Sequence, residues 1–307
     1  MITKTEIMMI LSSIFDKFKK AFFCFLAIFF CLSTSVLAQD QWSLSGFQSP
    51  VSVAQFGGFF YLSNSGANFG SAVRDGDGFI SRVRSDGTQQ EPTIRFVDGF
   101  NNPRGMYAIQ GVLYVCDIDR LVGIDLRTQR QVFELGFDAE NVTQLTAIAP
   151  LNNQIIYISA TDINTIFEVN ISTGSYTKWT ETPAPAGLLI NDGKMYVAGM
   201  GTDGLPNGKL GVIDMRTKNY TQLIDNEGIY FGLALNGNRL YYSDWVQFAR
   251  RRGVVRWFDL NSRATGQVAF TTRIGGPGDF IFDPRNNLFI IPSVLEDIVY
   301  GCMGFVD

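Results

Sequence analysis

Residues 112–128 read VLYVCDIDRLVGIDLRT. An apolar run centred on Tyr114 meets the polar group Asp117-Ile118-Asp119-Arg120. A second apolar run then leads into Arg127-Thr128. Short apolar runs bounded by polar turn residues predict successive β-strands rather than helix. The same phrase recurs as FFYLSN at Tyr61, IIYISA at Tyr157, KMYVAG at Tyr196, RLYYSD at Tyr241 and NLFIIP at Phe289. Those aromatics lie 53, 43, 39, 45 and 48 residues apart.

A third run follows each phrase, as in GFISRVRS, TIFEVNIST, KLGVIDMRT and VVRWFDLNS. A polar fourth run follows several of them, as in QRQVFELG and GSYTKWTE. Each unit therefore reads as four short strands joined by Gly, Asn and Asp turns, and no stretch has three turns of helical periodicity. One four-stranded meander cannot bury both of its faces. Six of them around an axis can, and closing the ring removes the terminal sheet edges. The sixth unit runs out of chain after three strands, while Gln41–Phe47 offers a spare one. The expectation is a single all-β domain over 39–307, a six-bladed β-propeller of four-stranded blades closed by an N-terminal strand.

The chain has 307 residues, a formal net charge of −4 and no histidine. Imidazole bases, Ser-His-Asp triads and imidazole zinc sites are excluded. The slight acidity lacks the broad positive field of a non-specific nucleic-acid binder. Residues 1–38 combine Lys4, Lys17, Lys19 and Lys20 with the apolar run Ala21–Leu32 and a small-residue site at Ala38. That order is a signal peptide, too short in its apolar part to span a bilayer. A secreted or periplasmic protein is expected, with no membrane span after cleavage. Removing 38 residues, among them four lysines and two acids, leaves 269 residues with 21 basic and 27 acidic side chains. Cys116 and Cys302 remain, either as two buried thiols or as a pair in an oxidising compartment.

Asn102-Pro103-Arg104-Gly105-Met106 before LYVCDIDRLVGIDL resembles the senescence-marker-protein-30/gluconolactonase-like propellers and their relatives with NHL repeats. So do APAGL at Ala184 with MYVAG, FGLAL at Phe231 with LYYSD, and the terminal GDFIFDPRNNLFIIP. The resemblance spans 47–300 and implies a divalent cation, usually Ca2+, at one mouth of the channel, with lactone or ester hydrolysis there. Carried over position by position, it gives Gln48 where a glutamate belongs, Ala186-Gly187 for Asn-Gly and Phe231-Gly232 for Asp-Gly. Asp279 is the one carboxylate in a comparable place. Gln48, Asn64 and Asp279 are thus the weak metal candidates, and a hard cation asks for six to eight oxygens, including several carboxylates.

Loops entering the inner strands and loops between second and third strands share the mouth face. They carry Arg104, Asp117, Asp119, Asp162 and Asp244, and three are long: 64–77, 199–208 and 244–253. Strand alternation would point Asp117 and Asp119 to one side, ~7 Å apart, for a cation or a ligand hydroxyl; the alternative is two turn aspartates, one bridged to Arg120 or Arg104. Asp75-Gly76-Asp77-Gly78 has the opening of a calcium loop but continues as a strand. Trp245, Phe248 and Arg250 to Arg252 would suit an anionic or planar ligand by stacking and bidentate bonds, or equally form a solvated arginine run fronting a hydrophobic loop clasp. Arg104, after a proline-fixed turn, is the residue most expected to face a ligand. Ser49, Ser63 and Ser243 lack an activating neighbour, and no catalytic residue is identified. Two functions follow: binding of a small anionic or sugar-like ligand or an extracellular protein without turnover, or metal-dependent lactone or ester hydrolysis from an atypical carboxylate site.

Overall fold

The computed structural model describes residues 42–70, 72–88, 94–247 and 252–305. The signal-peptide expectation lies outside the described residues. Within the unit Gln41–Asp307 the chain is a six-bladed β-propeller of six antiparallel four-stranded sheets. A 3-10 turn at Asp138–Glu140 is the one helical element among the described residues, so no described helix is long and apolar enough to cross a membrane.

The first strand, β1 (Trp42–Leu44), stands apart from the blade that follows it. Blade 1 is β2 (Pro50–Phe56), β3 (Phe59–Asn64), β4 (Gly78–Arg84) and β5 (Ile94–Phe100). Blade 2 is β6 (Pro103–Ile109), β7 (Val112–Asp117), β8 (Arg120–Asp125) and β9 (Arg130–Gly136). Blade 3 is β10 (Leu145–Pro150), β11 (Ile155–Ala160), β12 (Thr165–Asn170) and β13 (Ser175–Glu181). Blade 4 is β14 (Pro185–Asn191), β15 (Lys194–Gly199), β16 (Leu210–Asp214) and β17 (Tyr220–Gln222). Blade 5 is β18 (Tyr230–Asn236), β19 (Arg239–Gln247), β20 (Arg252–Asp259) and β21 (Thr265–Gln267). Blade 6 is β22 (Ile281–Asp283), β23 (Leu288–Ser293) and β24 (Ile298–Met303), completed by β1, which pairs Trp42 with Gly301. The N-terminal strand closes the ring, as the missing twelfth hairpin partner required.

The recurring aromatics fall at the same place in every blade. Tyr61, Tyr114, Tyr157, Tyr196, Tyr241 and Phe289 are buried on the second strands and pack into clusters shared between neighbouring blades. Burying a side chain of this size stabilises the fold by roughly 1.5–3 kcal/mol. That repeated contribution explains why the aromatic marks the period. The outer hairpins repeat too: Asp125 and Asp214 each accept from two backbone N–H groups and a Thr hydroxyl two to three residues on. This is the Asx-turn that the Arg-Thr phrase encodes.

Five inner strands begin with a bulge, and in three of them a buried serine of the second strand satisfies the displaced backbone. Ser63 Oγ accepts from Ser52 N, Ser159 Oγ from Ala147 N, and Ser243 Oγ from Gly232 N, at 3.0, 2.9 and 2.7 Å. At this level the inner strands press together. A Cβ on Gly187 would run into the Phe231 carbonyl, and one on Gly232 into Asp279 Cα. The waist of the channel is therefore built from small residues, with Ser52 Oγ donating to Asp279 Oδ2 at 2.9 Å.

Candidate functional site

The mouth face gathers the starts of the inner strands and the two long loops that follow β3 and β15. Arg104, second residue of β6, is 4% exposed. Its guanidinium lies 5.6 Å from the centroid of the Phe69 ring, and its Nη1 has no hydrogen-bond partner among the described residues. Burial away from water pulls the Arg104 pKa down to about 10, opposed by the charge of Asp162. The group still carries its proton at neutral pH. A buried cation with an unmet donor is costly unless an acceptor reaches it.

Phe69 also stacks on Trp245, with ring centroids 5.7 Å apart and planes 24° apart. Phe69 and Met200, from the loops of opposite blades 1 and 4, pack together on two small apolar clusters. One contains Val51, Ala186 and Phe231, and the other Ile229, Trp245 and Val294. These side chains form an apolar cover over the channel axis. Sequence reasoning missed both cover residues. A signal was present: each is a large apolar side chain beside glycine in a long, mostly polar loop, Asn68-Phe69-Gly70 and Gly199-Met200-Gly201. Met200 also walls a cavity of about 360 Å³ between blades 3 and 4, which Gln144, Thr161, Asp162 and Asp203 line.

The loop that carries Phe69 is pinned down its length. Asn68 Nδ2 donates to Asp75 Oδ2 at 3.1 Å, and Ala67 N to Asp77 Oδ2 at 2.9 Å. Arg74 bonds Asp119 Oδ2 of the neighbouring blade. Asp75–Gly78 leads straight into β4, so it serves as a turn, the alternative to a calcium loop.

Asp117 and Asp119 do not form a strand pair. Ile118 has φ +58°, and Asp117 pairs directly with Arg120, so Ile118-Asp119 is a two-residue hairpin turn of the kind that demands positive φ. The carboxylates go separate ways. Asp117 is fully buried, accepting from Asn101 N and Asn102 N at 3.0 and 2.8 Å and from Arg120 Nε and Nη2 at 3.0 and 2.8 Å. It clamps the turn into blade 2, and Asp119 holds Arg74.

Trp245 is not an open platform. It is 2% exposed, its Nε1 donates to Pro277 O at 2.7 Å, and Phe69 covers it. Asp244 accepts from Val246 N and pairs with Arg256 Nε at 2.7 Å. Arg250 lies outside the described residues, as do Phe248 and Arg251. Ser63 and Ser243 spend their hydroxyls on backbone, and Ser49 N donates to Asp297 Oδ1.

The residues present do not fit the calcium centre that the resemblance implies. Asn64 is buried, its Oδ1 accepting from Gln48 N while Nδ2 faces Leu62 O and Ser81 Oγ. Asp279 turns to Ser52 instead. Among the described residues no three His, Cys, Asp or Glu side chains converge as a metal site would need. Cys116 and Cys302 are free and buried. Compared with protein-family models and with curated proteins, the sequence matches none.

Proposed function

We propose that this chain is a binding propeller that holds a small anionic, sugar-like ligand at the channel mouth without turning it over. The observation that carries the reading is Arg104: a nine-tenths buried guanidinium with an unbonded Nη1, roofed by the Phe69 ring. A carboxylate or phosphate oxygen supplies the acceptor that the protein does not, and a charge-assisted bond in a dry site is among the stronger polar contacts. The neighbouring cavity beside Met200, with Gln144, Thr161 and Asp162 on its walls, offers hydroxyl partners for a polyol body. Phe69 lies against Arg104, and Phe69 and Met200 both belong to long loops, where such covers open most readily.

We further read the chain as an exported member of the gluconolactonase-like group. The phrases Asn102–Met106 and Phe231–Leu235 and the order of residues 1–38 support that reading. The scattered carboxylates and the structural duties of Asn64, Asp117 and Asp244 favour binding over metal-dependent hydrolysis.

The test is a thermal melt with a panel of sugar acids, small carboxylates and inorganic phosphate, with lactone hydrolysis followed in parallel with and without calcium. A ligand at a hundred times its dissociation constant adds ~2.7 kcal/mol, which raises the midpoint by roughly 5–10 °C. That rise should vanish in Arg104→Met. No stabilisation by any anion, or calcium-dependent lactone turnover, overturns the reading.

A further inference from the structure

Beyond the waist, the other half of the channel has a different chemistry. Near the start of each inner segment an apolar side chain lines it: Val53, Met106, Ile148, Leu188, Leu233 and, just ahead of β22, Phe280. This collar from all six blades bounds a cavity of about 340 Å³, which reaches Pro150 and Ile190 at the far ends of their strands. Its size is at the low end for small-molecule sites.

One charged side chain lines that cavity, Asp279. Its Oδ2 accepts from Ser52 Oγ, and no Lys or Arg pairs with it among the described residues. The side chain stays partly exposed, in the wall of the cavity. A carboxylate in that wall without a cation is a group an ammonium would pair with. The resemblance-based metal reading of Asp279 does not explain it, because among the described residues no group of three potential metal ligands includes it.

We propose that this half of the channel binds a small amine with an apolar body, its ammonium seated against Asp279 and its hydrocarbon within the six-residue collar. The charge and the shape demand both parts of that ligand. A plain metal cation would leave the collar unmatched, and a neutral hydrocarbon would leave the carboxylate unpaired. Among the described residues no Lys, Arg, Glu or second Asp lines the cavity; Tyr107 is on its wall and the Ser52 hydroxyl bonds Asp279.

The experiment uses the full chain and isothermal titration with butylamine, cyclohexylamine and phenethylamine, each beside its neutral alcohol counterpart. Saturable binding of an amine is expected at neutral pH, at least tenfold tighter than its alcohol. Asp279→Asn should abolish the preference for the amine while leaving the alcohol's affinity unchanged, and Arg104→Met should leave amine binding intact. Absence of saturable binding by every amine at about 10 mM overturns the proposal. So does equal affinity for amine and alcohol, or an unchanged preference in Asp279→Asn. Anion binding at the mouth is read with different probes and a different variant, so either site can fail alone.

Discussion

The Arg104 guanidinium sits 5.6 Å from the centre of the Phe69 ring, and that ring stacks on Trp245 from blade 5. A cation at the start of blade 2 is thereby roofed by a side chain from blade 1 that leans on blade 5. A cation over an aromatic face gains ~0.5–2 kcal/mol, well short of what full hydration or a carboxylate partner would supply. The site is held in this state by the pinned loop, with Arg74 bonded to Asp119 as its outermost tie.

Replacing Arg104 separates binding from stability. Arg104→Met keeps the length and removes the uncompensated charge, so the fold should gain ~1–3 kcal/mol while anion binding is lost. Urea titration and the thermal panel measure the two effects. A destabilised variant would show that Arg104 is serving the fold.

Opening the cover should act in the other direction. Phe69 is half-buried, and Phe69→Ala removes its contacts with Trp245, Met200 and Arg104. A loss of ~1–2 kcal/mol is expected, below the cost at a fully buried phenylalanine, together with faster association of the anion. Urea unfolding and stopped-flow binding check the pair.

Asp117 should prove the least replaceable carboxylate. It is fully buried and satisfies two backbone N–H groups and Arg120 at once. Asp117→Ala leaves those donors and a guanidinium without their acceptor and should cost about 3–5 kcal/mol. Asp119→Ala, which only releases an exposed arginine, should cost under ~1 kcal/mol. Equal costs in urea would contradict this division of roles.

Asp279 sets a pH dependence of unusual sign for a carboxylate. In the folded chain its pKa is about 6, against ~3.9 unfolded. Between those values the folded state holds a proton that the unfolded state releases, so this group's contribution to stability falls as pH rises through that window. Asp279→Asn should remove that slope and raise the midpoint by about 5 °C near neutral pH. Melts at a series of pH values for both chains test it.

Burial pushes the Cys302 thiol up to about 11 and the Cys116 thiol higher still. Neither should react with a thiol reagent in the native state, and both should label after denaturation, as mass spectrometry of the two peptides would show. A peptide linking the two cysteines would contradict the free thiols of the fold.

The architecture was legible because its signals are local and repeated. A buried aromatic every forty or so residues, an Asx-turn after five of the third strands, and one unpartnered strand near the start of the propeller together specify six blades and the way they close. The site was legible only in part. Arg104 stands out in sequence as the residue after a proline turn, but not as a guanidinium with an unmet Nη1 beneath an apolar cover. Of the two readings open for Asp117 and Asp119, the fold takes the turn with one carboxylate bridged to Arg120, because Ile118 adopts a positive φ. For Trp245 the sequence left a ligand platform and a hydrophobic clasp equally open, and Phe69, from a loop some 170 residues earlier, makes it a clasp. Strand and blade are properties of a short window of chain, which the sequence by itself determines. Which charges find partners and which stay buried alone depends on loops that converge from opposite sides of a closed ring, and the tertiary structure alone decides that.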